Sequence, residues 1–206
     1  MMSDKLLLLV FLFSFSACSY FSDRSVFSSC FSSEEASSLA KLVAFTDSLV
    51  LEAYPSTEVA GSYRLFFQDV EDSLAAASIL VELYSAEDIC TVFSTLPDSL
   101  SAKIFSPVRF FSSETREELD MDTCGLVINV HKNYEVFLKQ MEMKYPDLAS
   151  YVEQILAIGD TTGLGFLYLL HSDVRLDEDV RLMVAIHYLA LCSPFYAYPS
   201  ECYPCL

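Results

Sequence analysis

VAGSYRLFFQDVEDSLAAASILVELY, residues 59–84, is the longest stretch of this chain with a single period. Phe67, Val70, Leu74, Ala77, Val81 and Tyr84 recur at spacings of three and four, with Gln68, Asp69, Glu71 and Asp72 on the other side. One apolar stripe opposed by a polar one is the mark of a helix packed along one face. The spacing predicts a helix from about Val59 to Tyr84.

Helix signals continue on both sides. Upstream, Ser32 followed by Glu35 makes a capping box, with acids at the positive end of the helix dipole. Ala36, Leu39, Leu42, Val43, Leu49 and Ala53 then form the inward stripe, and Pro55 ends it. Downstream, Ser85 with Asp88 opens a shorter helix through Cys90, Val92 and Phe93, which Pro97 terminates. Further on, Val127, Val130, Tyr134, Phe137 and Met141 predict a helix over Gly125 to Lys144. Pro146 suits the first turn of a helix carrying Leu148, Tyr151, Val152 and Ile155 and closing at Gly159. Asp160 caps an apolar helix from Leu164 to Leu170, and Asp177 caps the last one, with Val180, Met183, Val184 and Leu191 inward.

Between Asp98 and Thr123 the pattern weakens. Ile104, Phe105, Val108, Phe110 and Phe111 straddle Pro107, and Glu114, Glu117, Glu118, Asp120 and Asp122 follow. This is an irregular insertion, either an apolar loop over the bundle or a short extended segment. A covering loop with a solvated acidic end is the simpler reading than a site lining. No segment alternates long enough for a convincing strand, and no period of 30 to 50 residues repeats. The fold class is therefore all-α, a mostly antiparallel bundle of about seven helices.

Composition narrows the function. With 29 acids against 12 bases the formal charge is −17. Such a surface repels phosphate backbones, so nucleic-acid binding is set aside, and it disfavours adhesion to anionic lipid heads. Five glycines argue against a turn-dense sandwich or a glycine-rich nucleotide fold. The 53% apolar fraction, with 16 Phe and 12 Tyr, supplies a real core.

The chain begins with Met1 to Lys5, an apolar run from Leu6 to Phe15, then Ser16, Ala17 and Cys18. A short apolar run behind a lone lysine, closed by small residues, has the layout of a secretion signal and is too short to span a bilayer as a mature helix. Phe15, Ser16, Ala17 and Cys18 resemble the lipobox of bacterial lipoproteins. The resemblance covers the signal alone. It implies that Cys18 is acylated and becomes the first mature residue, and that the protein is anchored in the cell envelope, facing periplasm or cell surface; an ordinary signal cleavage would instead leave a secreted chain. The resulting organisation is a signal peptide over 1–17, a Ser-rich tether over 18–32, a helical domain over 33–193 and a Pro/Cys-rich tail over 194–206. The aromatic residues inside the tether are of the kind that dock on a domain.

Beyond Cys18 the cysteines are Cys30, Cys90, Cys124, Cys192, Cys202 and Cys205, six that could pair in an oxidising compartment. Cys202 and Cys205 have the spacing of thiol oxidoreductases but form the extreme terminus with no helix after them, so a disulfide, within the pair or back to Cys192 or Cys30, is the better reading. Cys90 reads as a buried thiol acting as a small hydrophobe.

Three histidines limit catalysis. No two lie one turn apart with a glutamate between them, and the residues three before each are Ile128, Tyr168 and Val184, so zincin and di-iron bundle chemistries are excluded. His131 and Glu135 lie one turn apart, a spacing that is usually incidental. His187, on the inward stripe, reads as a satisfied core histidine, and His171 sits near a helix carboxyl end. Asp120, Asp122, Cys124 and Gly125 imitate the start of a calcium loop, but its twelfth position is His131 rather than a glutamate. Gly163 and Gly165 lack the rest of a dinucleotide fingerprint.

No catalytic residue, metal or cofactor is assigned. The expectation is a lipid-anchored envelope protein whose acidic helical domain binds a protein partner. The alternatives are a carrier of a small apolar ligand and, more remotely, a hydrolase using His171 or His187.

Overall fold

The computed structural model describes residues 25–75, 83–108, 125–130, 133–158 and 175–192. Among these residues there are eight α-helices, one 3-10 turn and one two-stranded ribbon, an all-α helical bundle. Helix α1 is Phe27–Cys30, α2 is Ser33–Ala53, α3 is Val59–Ala75, α4 is Ala86–Thr95 and α5 is Asp98–Ile104. Strands β1, Phe105–Val108, and β2, Gly125–Ile128, follow, then α6, Asn133–Lys144, the 3-10 turn Pro146–Leu148, α7, Ala149–Ile158, and α8, Glu178–Cys192. None of the described helices is long and apolar enough to cross a membrane. The predicted helix Leu164–Leu170 lies outside the described residues.

The caps form where the sequence places them. Ser32 Oγ accepts from the Glu35 amide while Glu35 Oε2 accepts from the Ser32 amide at 2.9 Å, satisfying donors that the first turn would otherwise leave unpaired. Ser85 and Asp88 repeat the exchange ahead of α4. Asp177 Oδ1 accepts from the Val180 amide at 3.3 Å at the start of α8. Helix α2 stops at Ala53, two residues before Pro55, and Pro146 opens the turn that leads into α7.

Helix α8 is the axis of the packing. All residues from Leu182 to Leu191 are buried, not only the stripe of Val180, Met183, Val184 and Leu191. A helix buried on every side has no need of a polar face, which is why the one-sided reading undercounts its core. Helix α2 and strand β2 both pack on it. On α2 the buried face is Leu39, Leu42, Val43, Thr46 and Val50, with Leu49 half-buried and Ala53 exposed. On α3 Tyr63, Phe66 and Val70 are fully buried and Phe67 half-buried, so the inward stripe is centred one position earlier than Phe67.

Three elements depart from expectation. Leu83 and Tyr84 are not helical, so the predicted span to Tyr84 overruns; Tyr84 is nonetheless fully buried, its hydroxyl 2.7 Å from Thr46 Oγ1. Residues 98–104 form a helix, and only then does the segment around Pro107 become extended, as β1. Residues Gly125–Ile128, predicted as the start of a helix, are β2, antiparallel to β1 with Phe105 opposite Ile128 and Val108 opposite Gly125. A four-residue apolar run fits either period, and here the chain is used to close a ribbon whose Phe105 and Ile128 side chains enter the core.

The stretch Ser25–Phe31 is docked on the domain. Val26, Phe27 and Phe31 are buried, and the segment runs along α6 from its end to its beginning. Ser29 Oγ donates to Gln140 Oε1 at 2.8 Å, Phe31 packs on Phe137 with ring centroids 6.3 Å apart, and Asn133 Nδ2 donates to the Cys30 carbonyl. The packed domain thus extends to residues before Ser33, and Phe27 and Phe31 are aromatic side chains of the Ser-rich stretch that dock as their character implies.

Candidate functional sites: a buried histidine and an anchored amino end

His187 has no exposed surface. It stands on α8 between a tyrosine of α6 and a tyrosine of α7: its Nε2 lies 2.7 Å from the Tyr134 hydroxyl, and its Nδ1 is hydrogen-bonded to the Tyr151 hydroxyl. Both tyrosines are themselves buried. A neutral imidazole has one N–H and one lone pair, so one tyrosine donates to the ring and the other accepts from it. Burial pushes the imidazole down to about 3, and it pushes both phenols up. The group is neutral and saturated throughout the ordinary pH range. The ring can therefore neither abstract a proton from a substrate nor offer a free lone pair to an ion. This is the satisfied core histidine that its position on the inward stripe implies, and a hydrolase built on His187 has no reactive atom there.

The second cluster holds the amino end of the domain to the start of α8. Asp179, almost fully buried, accepts from Ser25 Oγ at 2.8 Å, from the Phe27 amide at 3.2 Å and from Lys144 Nζ at 2.7 Å. Asp177 accepts from the Tyr145 hydroxyl and lies 3.4 Å from Lys144 Nζ. Burial by itself would lower the Lys144 ammonium, but the bonds to Asp179 and Tyr145 and the charges of both aspartates hold it above its ordinary value. Burial first, then the bond to Asp177, pushes the Tyr145 phenol up.

One turn further along, Arg181 Nε is 3.1 Å from Asp47 Oδ1 on α2, an oxygen that also accepts from Tyr63 of α3. The Nε–H does not point along a hydrogen bond to it, so this pairing is Coulombic. Arg181 Nη1 donates to the Leu176 carbonyl. At the opposite end of the domain Lys103 of α5 pairs with Glu35 of α2, and that contact, ahead of the Ser32 amide, holds the Glu35 carboxyl below the usual range.

Four cations, Lys103, Lys139, Lys144 and Arg181, are thus engaged by carboxylates within the domain. Glu34, Glu52, Glu58, Asp69, Glu71, Asp72, Glu87, Asp98, Asp147, Glu153 and Glu178 are exposed, which leaves the described surface acidic.

Of the other sequence candidates, Glu135 pairs with Lys139 at 2.6 Å along α6, while its suggested metal partner His131 lies outside the described residues. So do His171, Cys18, Cys124, Cys202 and Cys205, and nothing is described of the Cys90 and Cys192 side chains. Cys30 is a half-buried free thiol whose burial raises it, which keeps the reactive thiolate scarce. Among the described residues no group of three or more His, Cys, Asp or Glu side chains is placed to hold a metal ion.

Sequence reasoning found His187 and the cap at Asp177 but missed Asp179. A carboxylate two residues beyond a cap carries no signal of a partner 154 positions away. Comparison of the chain with protein-family models, with curated proteins and with solved structures found no match.

Proposed function

We propose that this protein is an exported, lipid-anchored cell-envelope protein whose acidic helical domain is a binding or assembly module for a protein partner with a cationic face. The observation that carries the reading is the spacing of leader and domain: Ala17 and Cys18 close the apolar leader, and seven positions later Ser25 is already bonded to Asp179 inside the domain. Acylation of Cys18 would thus place a folded acidic body directly at a membrane surface. The charge distribution supports the partner chemistry, because the paired cations leave carboxylates facing solvent. Among the described aromatic side chains Tyr63, Phe66, Tyr134, Phe137, Tyr151 and Tyr188 are buried and packed on neighbouring rings, so these six are accounted for as core without an apolar cargo, while Phe45, Tyr54, Phe67 and Tyr145 are half-buried.

Intact-mass measurement on protein extracted from membranes tests the reading. The expected mass is that of residues 18–206 plus a diacylglyceryl group and any amino-terminal acyl chain. Cys18→Ser should leave the protein outside the membrane fraction. A membrane-extracted chain with an unmodified Cys18 overturns the anchor.

A further inference from the structure

Resting on that reading of Cys18, we infer that the domain cannot turn its β1–β2 end to the bilayer, and that the end formed by the start of α8 and the close of α6 stays on the membrane side. Two observations set the geometry. First, the amino end is fixed at Ser25: its hydroxyl and the Phe27 amide bond to Asp179, Val26 and Phe27 are buried, and Lys144 closes the cluster from α6. Any pull from Cys18 is therefore delivered at that end of the bundle. Second, six residues, 19–24, separate Cys18 from Ser25. Seven Cα steps reach at most about 25 Å when fully extended.

The size of the domain turns this length into an orientation. A chain of about 180 residues folds to a radius of gyration of roughly 16 Å, which is about 40 Å across. To present its opposite end to the bilayer, the domain would have to carry Ser25 some 40 Å from the membrane, and the link is too short for that.

Residues near and far from the anchor follow from the contacts. Glu178 is exposed and adjoins Asp179, so it marks the near end. Helix α6 runs back about 17 Å from Lys144 to Asn133. Beyond its start, Asn129 donates to the Ala102 carbonyl, and Ala102 is exposed, so it marks the far end beside the ribbon. The acids Asp147 and Glu178 on the near end favour a zwitterionic surface held at a short distance over an anionic one pressed close.

The test uses the full chain purified from membranes into phosphatidylcholine vesicles. Glu178→p-azidophenylalanine and Ala102→p-azidophenylalanine are each clicked to a donor dye, and transfer to a headgroup-labelled acceptor lipid is read. At least twofold more transfer from position 178 than from position 102 is expected. Inserting twenty Gly/Ser residues between Arg24 and Ser25 should bring the two values together while Ser25 stays bonded. Equal transfer from both positions in the original chain, with the protein still floating with the vesicles, overturns the orientation and leaves the anchor standing. Loss of flotation together with an unmodified Cys18 mass overturns both.

Discussion

Tyr134 and His187, 53 positions apart in the chain, share a 2.7 Å hydrogen bond in the interior of the bundle. Tyr151 occupies the other nitrogen of the same ring, so three helices are joined through one imidazole. The arrangement saturates the polar atoms of a side chain that would otherwise be costly to bury.

Tyr134→Phe removes one hydroxyl and leaves a ring nitrogen without a partner where no water reaches it. A loss of about 1–3 kcal/mol in unfolding free energy is expected from that orphaned group. Denaturant titration at neutral pH measures it. Loss within 0.3 kcal/mol would show that the ring finds another partner.

The same ring makes stability depend on pH. Its folded value is depressed to about 3 from an ordinary 6.5, so below pH 6.5 the unfolded chain binds a proton that the folded one refuses. The contribution is complete above pH 6.5 and is lost progressively as pH falls toward 3, with a slope approaching about 1.4 kcal/mol per pH unit. Urea unfolding of the wild type and of His187→Leu at pH 7.5 and 5.5 separates this from the carboxylates. The variant should lose less stability than the wild type over that interval; parallel losses would mean that the histidine does not titrate differently on unfolding.

Asp179→Ala strips Ser25, the Phe27 amide and Lys144 of their shared acceptor. Lys144 keeps some exposure and its contact with Asp177, so the expected cost is about 2–4 kcal/mol, less than for a fully buried pair. A second readout is proteolysis: cleavage after Arg24 or within 25–31 should accelerate in the variant. Unchanged protection would show that Phe27 and Phe31 hold the segment unaided.

Both capping boxes are expected to contribute separately. Ser32→Ala and Ser85→Ala each remove an acceptor from a first-turn amide and should cost about 1 kcal/mol by thermal or denaturant unfolding. Because α2 and α4 are capped independently, the double variant should cost close to the sum, and a strongly non-additive value would count against this account.

What could be read along the chain was what depends on near neighbours. A cap is a contract between residues three apart, so Ser32 with Glu35, Ser85 with Asp88 and the Asp177 cap disclosed the starts of α2, α4 and α8. The inward stripe of α6 followed from spacing alone, and the place of His187 on the inward face of α8 implied a satisfied ring. Signals that fit two periods at once do not decide: Gly125–Ile128 is too short to tell a strand from a helix turn, and the decision lies with Phe105–Val108, which pairs with it.

The chain by itself therefore determined an all-α domain, its acidity and most helix starts, because propensity, period and capping act over a few residues. Tertiary structure alone decided that α8 is surrounded, that Tyr134 and Tyr151 are the partners of His187, and that Asp179 fixes the amino end at Ser25. Those contacts join positions from 36 to 154 apart, and no local rule brings such residues together; only the burial of Phe27, Phe31 and the all-round apolar α8 does.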